Sequence, residues 1–155
     1  MHSTIRPELN TQLAALNYRL TLYVLFNVAT LSSVFFFPFQ WEYLALAMVS
    51  YYARMLAITG VHHRYFAHRA YQIRSRSVQF LLGFWATTAA QRGPLWWAAT
   101  HRWHHRHSDD LRDIHSRRHR GFWYAHVVWV FDMYNNPDWE APELKDLRRF
   151  PELRR

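Results

Sequence analysis

Between Thr21 and Ala53 the chain carries a single formal charge, Glu42. This constrains the fold more than any other feature, because so apolar a run must be buried in protein or in lipid. Its first part, YRLTLYVLFNVATLSSVFFFPF from Tyr18 to Phe39, has about 22 residues with only Arg19 charged, at the edge. About 20 apolar residues cross a bilayer as helix. Pro38 and Gln40 interrupt the run, and a second apolar stretch extends from Trp41 to Thr59. The connection is too short for a domain, so residues 18–59 are expected to form a transmembrane helical hairpin. Trp41 and Tyr43 suit the aromatic belt at a membrane–water interface. Glu42 and Arg54 sit near the ends of the second stretch, where a charged head still reaches water. The same pattern fits a buried helical hairpin in a soluble all-α protein. Residues 1–17 read as a polar, cytosolic lead-in helix. The first apolar run is too long for a secretory signal and lacks a small-residue exit, so a retained helix is expected. Arg6 and Arg19 precede the hairpin, and Arg64, Arg69, Arg74 and Arg76 follow it, which places both ends on the cytoplasmic side.

Beyond the hairpin the composition reverses. From Arg54 to Arg120 arginines and histidines recur every few positions, and the net charge of the 155 residues is +8 with Lys145 the one lysine. A basic surface of this kind suits nucleic acid, anionic lipid or a phosphorylated substrate. The absence of cysteine excludes a disulfide framework, a thiolate metal site and a cysteine nucleophile. Val78–Trp97 is apolar but interrupted by Gln91, Arg92, Gly93 and Pro94, and reads as a helix lying in the interface or over a site. Gly121–Tyr134 is short, tryptophan-rich and amphipathic. The expected organisation is one domain, with a cytosolic or interfacial histidine-bearing region over 60–134 and a charged tail over 135–155.

Four of the eleven histidines lie in WAATHRWHHRHSDD, from Trp97 to Asp110. Helical residues three and four apart share a face, so His101, His104 and His105 form one stripe, and His107 points away. His63 and His68 stand five apart, which no regular helix aligns. They can meet if one ends the second membrane helix and the other sits on the turn beyond. His62 lies off the face of His63. Several neutral imidazoles held together make sense where a cation replaces their protons. A set larger than four suits iron or another redox-active metal better than a closed tetrahedral zinc site.

The segments TGVHHRYFAHRAY (Thr59–Tyr71) and QRGPLWWAATHRWHHRHSDDLRDIHSRRHRGFWYAHVVWVF (Gln91–Phe131) resemble the membrane-bound fatty acyl desaturases of the stearoyl-CoA desaturase type. The first matches that family's H-R-x-x-x-H box followed by R-x-[YF]. The second matches its H-R-x-H-H box with flanking G-P-x-x-W-[WA]-A, S-D-x-x-x-D-x-H and R-G-F-W-x-[SA]-H patterns. The resemblance implies an all-α membrane protein with four spanning helices and a cytosolic cap around a non-haem di-iron centre, although another divalent metal can occupy a purified sample. It implies a reaction in which dioxygen and two electrons, from a cytochrome b5 or ferredoxin type donor, introduce a cis double bond into an acyl chain. The acyl group would be carried on coenzyme A or another carrier, with membrane lipid as a neighbour and no nucleic acid as partner.

On this resemblance His63, His68, His101, His104 and His105 match metal ligands. Gln91 and Trp97 fall at the acyl tunnel, and Asp110, Asp113 and His115 support the ligands from behind. Arg64, Arg69, Arg102 and Arg106 would meet coenzyme A phosphates or an acidic electron donor, or else anionic lipid headgroups. The family's third histidine cluster follows two further membrane helices, whereas this sequence stops at DLRRFPELRR. The expectation is therefore an incomplete four-helix fold with four ligands missing, inactive alone. Two other functions fit the residues less well. One is a histidine-box hydroxylase or alkane oxygenase, and the other a non-catalytic basic module binding membrane or nucleic acid.

Overall fold

A computed structural model describes residues 5–132, 137, 138 and 140–153, which form helices, turns and loops with no strand among them. The first four residues of the lead-in, and the segment ends placed at Tyr134 and Asn135, lie outside the described residues.

Helix α1 runs from Ile5 to Ser32, so the lead-in and the first apolar run form one helix. Neither glycine nor proline interrupts residues 8–32, and nothing there stops propagation. Its polar side chains are satisfied locally: Asn27 Nδ2 donates to Tyr23 O at 2.7 Å and Thr30 Oγ1 to Phe26 O at 2.8 Å. Such bonds to the preceding turn let a polar group sit where water is absent. The helix tightens into a 3-10 turn at Ser33–Phe35, short of the expected end at Phe39, because the chain must leave helical geometry ahead of Pro38.

Helix α2 spans Trp41–Leu56, after an extended Gln40, with Glu42 in the first turn where the helix dipole favours an anion. It continues without a break into a π-helix over Ala57–Ala67, beyond the expected end at Thr59. Thr11–Phe35 and Trp41–Ala67 are each long and apolar enough to cross a bilayer. Their side chains are largely uncovered, with Phe26 71% and Phe35 88% exposed. An apolar surface this continuous needs a non-aqueous neighbour.

The core lies at the far end of α2. Val61, Tyr65, Phe66 and Ala67 of the π-helix pack with Ala86 of α3 (Arg76–Thr87) and with Leu95, Ala98 and Ala99 of α4 (Pro94–Arg106). The segment expected as one helix over Val78–Trp97 is thus two. Ser75 caps α3 by accepting from Val78 N at 3.3 Å. Pro94 opens α4 at a position where its missing N–H costs nothing. Between them Ala90 and Arg92 have φ of 56° and 63°, an unusual region for side chains other than glycine.

The tail is more than a charged extension. Leu144, Leu147 and Leu153 are buried in the same core, while its charges pair outside it, with Arg76–Glu152 and Arg106–Glu143 each at 2.5 Å. The amphipathic segment from Gly121 is also broken up. Gly121, with φ of 79°, ends α5 (Arg117–Arg120) and begins α6 (Phe122–His126). The β-branched Val127, Val128 and Val130 then give only a 3-10 turn at Val128–Val130.

Candidate metal centre

In an α-helix five residues turn the chain by about 500°, leaving the side chains about 140° apart. Over Ala57–Ala67 the hydrogen bonds instead shift to i→i+5, and His68 N donates to His63 O at 2.9 Å. This change of register sets the His68 ring against the His63 ring, their Nε2 atoms 3.0 Å apart. π-helical turns are rare, short and concentrated at functional sites. Side chains hold this one in place. Tyr71 Oη donates to Gly60 O at 2.7 Å. Arg102 Nε donates to Ala67 O at 2.7 Å and Arg102 Nη2 to Phe66 O at 3.0 Å.

Helix α4 supplies the other side of the site. His68 Nε2 lies 3.1 Å from His101 Nε2, which lies 3.0 Å from His105 Nε2. The ligating nitrogens of His63, His68, His101 and His105 all fall within 4.8 Å of one another. Their rings stand nearly edge to face, at 83° for His63–His101 and 80° for His101–His105. A neutral imidazole has one N–H and one lone pair, so four nitrogens gathered this closely cannot all be joined by good hydrogen bonds. Four nitrogens at about 2.05 Å from one tetrahedral cation would be about 3.3 Å apart. The observed spacing and the all-nitrogen donor set fit such an ion.

The electrostatics agree. Burial, followed by the neighbouring His105, His63, His68 and His104, pushes the His101 pKa down to about 3. Burial first, then His63, His105 and Arg102, lowers that of His68. Both rings are therefore neutral near pH 7, the form that ligates metal.

His104 is set apart from these four. Its Nδ1 lies 3.0 Å from Asp113 Oδ1, and with Asp113 and His115 it makes a second group. Asp113 is fully buried. Burial raises its carboxyl pKa, but hydrogen bonds from His104 and from the backbone N–H of Asp109 and His115 outweigh this and hold it below the usual range. The His115 ring stacks on His104 with centroids 4.2 Å apart, and burial lowers its pKa. Asp110, grouped with them on the sequence, instead pairs with Arg112 at 2.5 Å. His107 stays outside both groups, buried against Trp103.

Gln91 and Trp97 meet each other, with Trp97 Nε1 donating to Gln91 Oε1 at 3.2 Å. Trp97 also stacks on His101 at 4.5 Å, beside the four-histidine group. Neither residue lines the cavity of about 570 Å³ bounded by Ala99, Trp103, Ile114 and Pro142. His62, which spacing set off the face of His63, is fully buried, its Nε2 3.0 Å from Ala86 O and its ring stacked on Trp97 with centroids 5.5 Å apart.

Three of the four arginines expected to meet phosphate or an acidic partner are engaged within the chain. Arg102 grips Asp146 at 2.6 Å and donates to Glu143 O, Arg106 pairs with Glu143, and Arg69 lies 3.7 Å from Asp146. Arg64 is exposed. No sequence signal marked Arg102 as a clamp within the chain, because its partners are backbone carbonyls and a carboxylate 44 positions away.

The chain is 36% identical over 107 residues to Delta-9 acyl-lipid desaturase 2 of Arabidopsis thaliana, covering 69% of this chain and 34% of that protein. Delta-9 acyl-lipid desaturase 1 of the same plant is 36% identical over 96 residues, 62% of this chain and 31% of the relative. A probable acyl-CoA desaturase of Schizosaccharomyces pombe is 33% identical over 118 residues, 76% and 24% respectively. The chain thus spans about a quarter to a third of the length of these curated relatives. No family model and no solved structure matches it. Likeness to several desaturases, together with two helices long and apolar enough to cross a bilayer, makes this a membrane protein. By that likeness the chain belongs to the fatty acid desaturase family.

Proposed function

We infer that this chain forms part of the catalytic region of a fatty acyl desaturase, which uses dioxygen and a non-haem iron centre to introduce a cis double bond. The observation that carries the reading is the convergence of four imidazole nitrogens from two elements, in a chain whose relatives are desaturases. Iron, when bound, supplies the oxidising power needed to break an unactivated alkyl C–H bond. The chain's own residues hold and surround it. His63, His68, His101 and His105 present their Nε2 atoms, and His104 adds a ligand at its edge. Trp97, stacked on His101 and bonded to Gln91, forms an aromatic wall on which an acyl chain can lie. The bond between the two holds the indole orientation, which fixes where a methylene meets the site.

On this reading α1 and α2 cross the bilayer with both ends of the pair on the cytoplasmic side, and the histidine group lies beside the lipid from which an acyl substrate comes. The length and apolar character of the two helices support it. The acyl carrier is coenzyme A, another carrier or a lipid, and the reductant is a small electron donor of cytochrome b5 or ferredoxin type. The two iron atoms of a di-iron centre need more ligands than the five imidazoles assigned here. Acyl-chain analysis of cells expressing the chain with a desaturase reductase system tests the reading. A new cis-monounsaturated product, lost in His101→Ala, supports it, and a hydroxylated product in its place contradicts it.

A further inference from the structure

The second histidine group is built differently from the first, and its geometry gives one acidic residue a specific task. Asp113 is fully buried with both carboxylate oxygens occupied. Oδ1 lies 3.0 Å from His104 Nδ1 and accepts from His115 N at 3.2 Å, while Oδ2 accepts from Asp109 N at 3.1 Å. A carboxylate with its charge held this way has no proton to offer, so the proton in the His104–Asp113 contact must sit on His104 Nδ1. The remaining lone pair of that ring is then on Nε2.

The same three side chains do not chelate an ion among themselves. The His104 and His115 rings lie 4.2 Å apart at an interplanar angle of 29°. Lone pairs lie in the ring planes, so stacked rings do not aim them at a shared centre. His115 acts on His104 as a flat wall, itself backed by Trp129 at 4.7 Å.

We propose that Asp113 is a positioning residue that fixes His104 as its Nδ1–H tautomer, making Nε2 the one nitrogen that ring can offer a metal. The proposal rests on the reading of His104 as a ligand. It separates Asp113 from Asp110, which the sequence pattern grouped together and which faces Arg112. Carboxylate partners of ligating histidines raise ligand basicity and set ring orientation, and losing one typically weakens metal binding by about 10–100-fold.

Nitrogen-15 NMR of the histidine-labelled, metal-free chain in detergent reads the tautomer directly, with His104 assigned by its loss in His104→Gln. The expected result is a proton on Nδ1 in the wild type and a mixed population in Asp113→Asn, with cobalt(II) affinity lower by about 10–100-fold. A wild-type ring protonated on Nε2 would overturn the assignment, and that measurement needs no variant to fold. So would an unchanged tautomer and affinity in a folded Asp113→Asn. If the wild type shows the Nδ1–H tautomer yet binds no cobalt(II), the pairing stands and the metal-site reading fails.

Discussion

The two histidine groups share helix α4 and are built on opposite principles. His63, His68, His101 and His105 turn their Nε2 atoms toward one another at 3.0–3.1 Å with no carboxylate in the group. His104 has a buried carboxylate at 3.0 Å and a stacked neighbour. In the second group the contact between His104 Nδ1 and Asp113 is complete within the chain, because it has a donor and an acceptor. The first is complete only with a cation, since four lone pairs otherwise oppose one another. A cluster without its counter-charge marks where a cation belongs, and a carboxylate behind a single ring marks a support for that ring.

This contrast orders the expected effects of mutation. His101 touches both His68 and His105, so His101→Ala removes the hub of the first group. We expect it to cost more metal affinity than the about 10–100-fold typical of an outer partner, as measured by cobalt(II) titration with its absorption bands. Equal loss in Asp113→Asn would erase the distinction between groups.

Arg102→Ala comes next. It frees the carbonyls of Phe66 and Ala67 and the carboxylate of Asp146 together. Hydrogen bonds to charged groups contribute about 1.5–3 kcal/mol each, but Asp146 is partly solvated, so the net loss of stability expected is about 2–3 kcal/mol. Denaturation in detergent measures it. The metal-binding loss should appear as well, since the π-helix that aligns His63 with His68 loses its clamp.

The pH dependence follows from His101. Its folded pKa of about 3 lies below the unfolded value of about 6.5. Between those values the unfolded chain takes up a proton that the folded chain refuses. Stability of the metal-free chain is therefore present in full above pH 6.5 and declines as the pH falls toward 3. Metal retention moves the same way, because protons compete for the same nitrogens. In His101→Ala the slope over this window should be shallower.

The smallest effect belongs to Asp110→Asn, which breaks only an exposed pair with Arg112. Metal affinity should stay within about twofold of wild type.

Much of this arrangement was legible in the residues. The scarcity of charge from Thr21 to Ala53 marked both long helices, and Gly93–Pro94 marked an interruption, although reading Val78–Trp97 as one interrupted helix missed a true helix start. The spacing of His101 and His105 gave their shared face. What spacing did not show was the π-helix. Periodicity arguments assume 3.6 residues per turn, and the pairing of His63 with His68 depends on a register held by Tyr71 and Arg102 from outside the segment. The same assumption put His104 on the stripe with His101, whereas Asp113 draws that ring away. Leu144, Leu147 and Leu153 were hidden among charges, and their burial depends on the shape of a core made by residues far earlier in the chain.

The central claim is that four imidazoles of this chain converge on one metal. X-ray absorption at the iron edge of the ferrous-loaded chain tests it most directly. The account expects one iron per chain with an imidazole shell at about 2.0–2.2 Å, losing its histidine signature in the His63→Ala/His101→Ala double variant. Iron bound only through oxygen, or an imidazole signal unchanged by that double substitution, would contradict it.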